Sequence, residues 1–258
     1  MARLCLLCNK AVGGRRAKEH VFPVWLLKEL EITDLDIAPS HFSPQGELLS
    51  SRKQTLSGVL EGRVCTQCNS EWMSSLESSN QDVLTSLFDS SKRLQALSHA
   101  QRNCLARWAC KTSWLLHLSS NYRHTVPRSH LHALPTADPP TPNNVVVLAA
   151  QHKSDRLFHW LQSPTWVVDM EPADSERIKA IAEFSYKISL QLRDLLLLVA
   201  WWPEPCVYRF HDRIHTLLST TASCFAWHSV GQWPEPTSER SLYMFHSAVA
   251  VAVQPGKA

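Results

Sequence analysis

The sequence predicts an α+β protein: a small cysteine-stapled unit over residues 1–78, then a body over residues 79–258 with helices first and antiparallel strands after. Three observations point there. Two CxxC pairs, Cys5/Cys8 and Cys65/Cys68, bracket the N-terminal unit. Apolar residues recur at three- and four-residue steps from Trp72 to Phe88 and again from Leu105 to Leu118, the spacing of a helix with one buried face. Beyond a segment holding four prolines between Pro135 and Asn144, the texture turns to short β-type runs.

Taken in order, Cys5 to Cys8 reads as a metal knuckle, with Gly13-Gly14 as the turn of a flexible lead-in. Lys18 to Phe22 reads as a strand, and Pro23 opens a short helix from Val24 to Leu30, proline suiting the first helical turn. His41 to Leu49 and Thr55 to Val64 read as a hairpin, turning at Ser43–Gly46 or at Ser50–Arg52. A helix starts at Asn69, and a second covers Ala100 to Ser119. The proline segment is a linker or surface loop. Strands follow at Asn144–Ala150, Arg156–Leu161, Thr165–Asp169, Tyr186–Leu192 and Leu195–Trp202, the last two forming a hairpin about Arg193-Asp194. The tail Ala248–Val253 fits strand or helix. No repeat period is visible.

The chain has 258 residues, of which 44% are hydrophobic, and ten tryptophans, which argues for a packed core and against disorder. A net charge of +3 is compatible with nucleic-acid contact without indicating it. Eight cysteines in a chain of this length are not a disulfide scaffold. Four pair in metal-type spacing; Cys104, Cys110, Cys206 and Cys224 lie in apolar sequence and read as buried thiols, in keeping with a reducing cytosol. The apolar run before Lys10 is too short for a signal peptide, and Leu195–Trp202 falls far below the roughly 20 residues a membrane span needs. The expectation is a cytoplasmic protein without membrane contact.

Two CxxC turns can bring four thiolates onto one tetrahedral zinc. Between them stands Glu19-His20, and Asn69 follows the last cysteine directly. Closing the metal would gather Glu19, His20 and Asn69 into one small volume. This order, CxxC, acid-His, CxxC-Asn, resembles the HNH (ββα-metal) endonucleases, in particular their zinc-containing endonuclease VII-like group. The longer strings KEHVFPVWLL, VCTQCNSEWMSSLE and ARWACKTSWLL are also similar to uncharacterised bacterial HNH-type proteins. The resemblance implies a zinc-stapled ββα unit, hydrolysis of DNA phosphodiesters, His20 as general base, and Glu19 and Asn69 as ligands of a catalytic Mg²⁺ or Mn²⁺. Imidazole titrates near neutral pH, which suits the base, and a carboxylate with a carboxamide offers the hard oxygens such an ion takes. Arg15, Arg16 and Lys18, just ahead of the acid-His pair, are candidate phosphate contacts, with a solvated turn as the equal alternative.

The sequence departs from that pattern in one place. The family usually carries an Asn or His a few residues before the second CxxC, yet no asparagine occurs between Val21 and Val64. His41 is the only histidine in that interval and the candidate substitute; Glu61 stands where the missing residue often falls. The competing class is an inactive zinc module that binds nucleic acid or a protein partner; homodimerisation is left open. Plainer readings apply elsewhere. Glu71 and Glu77 read as solvent-facing helix acids, and Trp25, Trp72 and Trp108 as core. Lys111, inside an apolar helix face, reads as snorkelling to the surface, the alternative being an acid or phosphate across an interface. His211 and His215, four residues apart, read as packing histidines.

Overall fold

The computed structural model describes residues 4–12, 17–43, 45–120, 125–136, 141–163, 166–169, 175–211, 214–227 and 241–253. Strand β1 (Ala17–His20) leads through Pro23 into α1 (Val24–Glu29). An excursion follows: β2 (Asp36–Ile37), β3 (Ser40–Phe42), β4 (Leu48–Ser51) and β5 (Gln54–Thr55). β3 pairs with β4 about the turn at Ser43–Glu47, and β2 pairs with β5. The chain then returns as β6 (Leu60–Val64), antiparallel to β1, with His20 opposite Leu60 and Glu19 opposite Glu61. This corrects the expected partner of β6: it closes on β1, across the whole excursion, and not on residues 41–49.

The second CxxC forms the single turn α2 (Thr66–Cys68), which runs through a π-helical turn at Asn69–Met73 into α3 (Ser74–Phe88). Helix α4 (His99–Ser119) starts at a reciprocal capping box. The Ser98 hydroxyl accepts from the Gln101 N–H at 3.2 Å, and the Gln101 carboxamide accepts from the Ser98 N–H at 3.0 Å. From Leu105 to Leu118 nearly every side chain of α4 is buried, polar ones included, because the helix lies between the N-terminal unit and a sheet. α5 (Arg128–Ala133) closes the helical part.

Strands β7 (Val145–Gln151), β8 (Phe158–Ser163), β10 (Tyr186–Leu192), β11 (Leu195–Trp201) and β13 (Thr216–Thr220) make a five-stranded antiparallel sheet in the order β13-β7-β11-β10-β8. β9 (Val167–Asp169), β12 (Cys206–His211), β14 (Ser223–Trp227) and β15 (Val249–Val253) make a second sheet in the order β14-β12-β15-β9. Its β12–β14 and β15–β9 pairs are parallel, so this sheet is mixed where antiparallel strands were expected. α6 (Ser175–Ala182) and α7 (Ser241–Ser247) complete the described elements.

The continuous apolar runs of β7 and β11 are explained by burial on both faces. Val145, Val147, Leu195 and Leu197 join the core shared with α3, α4 and the N-terminal unit. Val146, Leu148, Leu196 and Leu198 join a second core under the mixed sheet, α6 and α7. The first core runs without a break across the expected boundary at residue 78. Among the described residues no helix is long and apolar enough to cross a membrane. No cysteine forms a disulfide; Cys110 and Cys206 are buried as expected, whereas Cys104 and Cys224 are only half-buried.

Candidate active site and metal centre

The two knuckles are built by short backbone bonds. The Cys5 N–H donates to the Lys10 carbonyl at 2.8 Å and the Asn9 N–H to the Cys5 carbonyl at 3.0 Å, with Asn9 in the left-handed region at φ 60°. The Leu6 N–H donates to the Arg63 carbonyl at 2.9 Å, which ties the first knuckle to β6. Backbone N–H groups also point at sulfur: Leu7 and Cys65 at Cys5 Sγ, at 3.5 and 3.3 Å, and Cys68 at Cys65 Sγ, at 3.4 Å. Such donors favour the thiolate. Burial works upward on the Cys5 thiol, yet the N–H groups of Cys65, Leu7 and Cys8 outweigh it and bring it to about 7.

All four Sγ atoms lie within 4.8 Å of one another, Cys8 to Cys65 at 3.6 Å and Cys5 to Cys68 at 4.0 Å. A tetrahedron with Zn–S of about 2.3 Å has sulfur–sulfur edges of about 3.8 Å. The four cysteines can therefore hold one metal ion, and four thiolates in this arrangement suit zinc. It is the one group of three or more His, Cys, Asp and Glu ligand atoms gathered among the described residues.

His20 ends β1, half-buried, where the Val21 N–H donates to the Val59 carbonyl at 3.1 Å. Its Nδ1 lies 3.1 Å from the Ser57 carbonyl. A carbonyl only accepts, so in the neutral ring Nδ1 carries the hydrogen and Nε2 keeps its lone pair. Asn69, directly after Cys68, opens the π-helical turn, a local irregularity frequent at functional positions. Its carboxamide makes no hydrogen bond to a described residue.

Glu19 lies on the opposite face of β1 and is buried. Its Oε1 is 3.5 Å from the Nζ of Lys111, whose ammonium also sits 2.5 Å from Glu77 Oε1. Burial holds the Glu19 carboxyl above its ordinary value; Lys111 acts against that shift and Glu77 with it. Two sequence readings are corrected here. Lys111 does not snorkel, since its side chain has no exposed area, and Glu77 turns inward onto it. The alternative for Lys111, an acid across an interface, is the observed one. Across the ribbon Glu61 has its own cation: its Oε1 accepts from the Arg63 backbone N–H and Nε, both at 2.9 Å, and its Oε2 from Nη2 at 3.0 Å. The opposed acids are thus neutralised separately.

His41, the candidate substitute for the missing Asn, sits on β3 and lines a cleft of about 610 Å³ with Asp36, Phe42, Phe158, Trp160 and Tyr243. The carbonyl of Ser57 is what orients His20, and a backbone carbonyl leaves no mark in a sequence. Arg15 and Arg16 lie outside the described residues, and of Lys18 only the backbone, in β1, is described. Trp108 is core, whereas Trp72 is half-buried beneath the Arg107 guanidinium, 5.1 Å above its ring. His215 is a packing histidine, its ring nitrogens 3.1 and 3.0 Å from the carbonyls of His211 and Phe245.

Comparison with protein-family models, with curated proteins and with solved structures returns no match.

Proposed function

We propose that this protein is a metal-dependent nuclease that hydrolyses DNA phosphodiesters at the β1–β6 ribbon, with His20 as general base. One observation carries this reading. His20 stands at the end of a strand with Nδ1 engaged by a carbonyl and Nε2 unengaged, on a ribbon closed by four metal-competent cysteines. In that state Nε2 takes the proton of an attacking water, and the Ser57 carbonyl steadies the imidazolium that results. The cysteine cluster, with zinc, serves as the staple that keeps Asn69 one residue from the ribbon's closing turn.

Glu19 and Asn69 would hold the catalytic Mg²⁺ or Mn²⁺. Their donor types fit, one carboxylate and one carboxamide with hydrogen-bonding capacity to spare, and the ion would share Glu19 with Lys111. Such an ion supplies stabilisation of negative charge on the departing oxygen. Lys111 from α4 and Glu77 from α3 position Glu19, and Arg15, Arg16 and Lys18 remain the proposed phosphate contacts.

The Glu19–Lys111 pair also favours a second reading. A carboxylate already answered by an ammonium needs no divalent ion, so the ribbon would be a zinc-stapled surface that binds nucleic acid or a protein without cleaving.

Cleavage of supercoiled plasmid in Mg²⁺ or Mn²⁺, beside His20→Ala, separates the two. Nicking by wild type that disappears in His20→Ala, with one zinc retained per chain, is the expected result. A zinc-loaded wild type that cuts neither plasmid, branched DNA, single strands nor RNA refutes the nuclease reading and leaves the binding module.

A further inference from the structure

Strand β10 reads Tyr-Lys-Ile-Ser-Leu-Gln-Leu, an alternation that ordinarily marks a sheet with one wet face. Here the polar face is covered. Tyr186, Ile188, Leu190 and Leu192 join the core against α4, while Lys187, Ser189 and Gln191 are each 2% exposed or less on the other side, where α7 packs. Burying a lysine without a carboxylate is costly, and proteins seldom do it without a use for the charge.

The Lys187 ammonium has no ion pair and no hydrogen bond among the described residues; its Nζ sits 5.1 Å over the ring of Trp166. The Trp166 ring is itself fixed, its N–H donating to Ser185 Oγ at 2.7 Å. From α7 comes His246, 7% exposed, with Nδ1 2.8 Å from Ser189 Oγ and Nε2 buried with no partner. Both groups line one cavity of about 280 Å³, together with Gln162, Ser163, Trp166 and Tyr243. No acid lies among its described lining residues. A cavity with a lysine, an imidazole whose second nitrogen is unpaired, two aromatic rings and no carboxylate among its described lining residues is complementary to negative charge on a flat body.

We propose that this cavity binds a small aromatic anion, a carboxylate or a phosphate monoester, with Lys187 and His246 on the charged group and Trp166 and Tyr243 against the ring. With the Ser189 hydroxyl donating to Nδ1, the His246 Nε2 carries the hydrogen and is an unpaired donor at the cavity wall. Lys187, at about 8 because burial disfavours its charge, regains full charge when an anion sits beside it. The site belongs to the C-terminal body, and its existence does not depend on the nuclease reading.

The test is isothermal titration of the full-length zinc-loaded protein with phenyl phosphate, benzoate, inorganic phosphate and neutral benzamide. Expected is saturable binding of phenyl phosphate or benzoate, the stronger of the two identifying the headgroup. Benzamide should bind about tenfold more weakly or worse, and Lys187→Met should weaken the preferred anion about tenfold or more. Lys187→Met replaces a buried cation by an apolar side chain of similar length and should fold, as checked by circular dichroism; if it does not, His246→Asn takes its place with the same expected loss. Absence of saturable binding by both aromatic anions overturns the proposal, as does benzamide binding equally well or an unchanged affinity in the folded variant. Inorganic phosphate binding as tightly as phenyl phosphate overturns the part assigned to the rings.

Discussion

Replacing Lys111 by methionine keeps the length of a fully buried side chain and removes its charge. Two acids would be left behind, Glu77 at 2.5 Å and Glu19 at 3.5 Å from the former ammonium, with 19% and 7% of their side chains exposed. Breaking a buried pair by removing one partner costs about 3–5 kcal/mol, most of it the stranded charge and little of it the lost attraction. Glu19 sets the scale: its carboxyl is held above the ordinary value by burial even with Lys111 present, so it has little reserve. Against a typical domain stability of about 5–15 kcal/mol the loss is about a fifth or more. Urea denaturation followed by circular dichroism measures it. The triple variant Glu19→Gln, Glu77→Gln, Lys111→Met, with no charge left to strand, should return to within about 2 kcal/mol of wild type. A single variant within about 1 kcal/mol of wild type, or a triple variant no better than the single, would refute the assignment of Lys111 as the counter-ion of both acids.

Two further outcomes follow. The chain as purified from zinc-containing medium should carry one zinc, measured by plasma emission, and Cys68→Ser should lose it together with cooperative unfolding; structural zinc in small modules is worth about 10–16 kcal/mol of apparent binding free energy, and an unchanged melt would contradict the staple. His130 packs against Trp114 and Trp201 with Nδ1 3.0 Å from the Tyr186 hydroxyl, and burial lowers it from 6.5 to about 4. Below pH 6.5 the unfolded chain binds the proton that the folded one refuses, so stability present above that pH is lost as pH falls toward about 4, by about 3 kcal/mol from this residue. His130→Asn should flatten that acid limb in urea titrations across the same window, and an unaltered slope would count against it.

Much of this architecture is legible in the chain because the signals are local. Four cysteines at CxxC spacing announce their cluster, Pro23 announces α1, and β7, β10 and β11 stand out as short apolar runs with clear ends. What escapes is set by distance along the chain. β6 pairs with β1 over an excursion from Val21 to Val59, whereas a sequence reading favours the nearer hairpin. Lys111 and Glu77 look like ordinary surface charges on two helices until packing turns them onto Glu19. β12, β13 and β14 lie outside the expected strands; in β13 every residue but Leu218 is half-buried, so it offers little alternation to read. In the candidate site the residue types are readable, and their second partners are not: the orienting group for His20 is a carbonyl, and the cation beside Glu19 arrives from α4.

The continuity of the first core bears on how the protein is made. Along the growing chain all four thiols have been made by residue 68, whereas the cation for Glu19 follows at residue 111 and the sheet that covers α4 begins at residue 145. For that interval the nascent N-terminal segment has knuckles and a ribbon and none of the body that later encloses them. N-terminal segments fold first on a growing chain, so a metal held by the four thiols would cross-link this segment before the body that encloses it has been made.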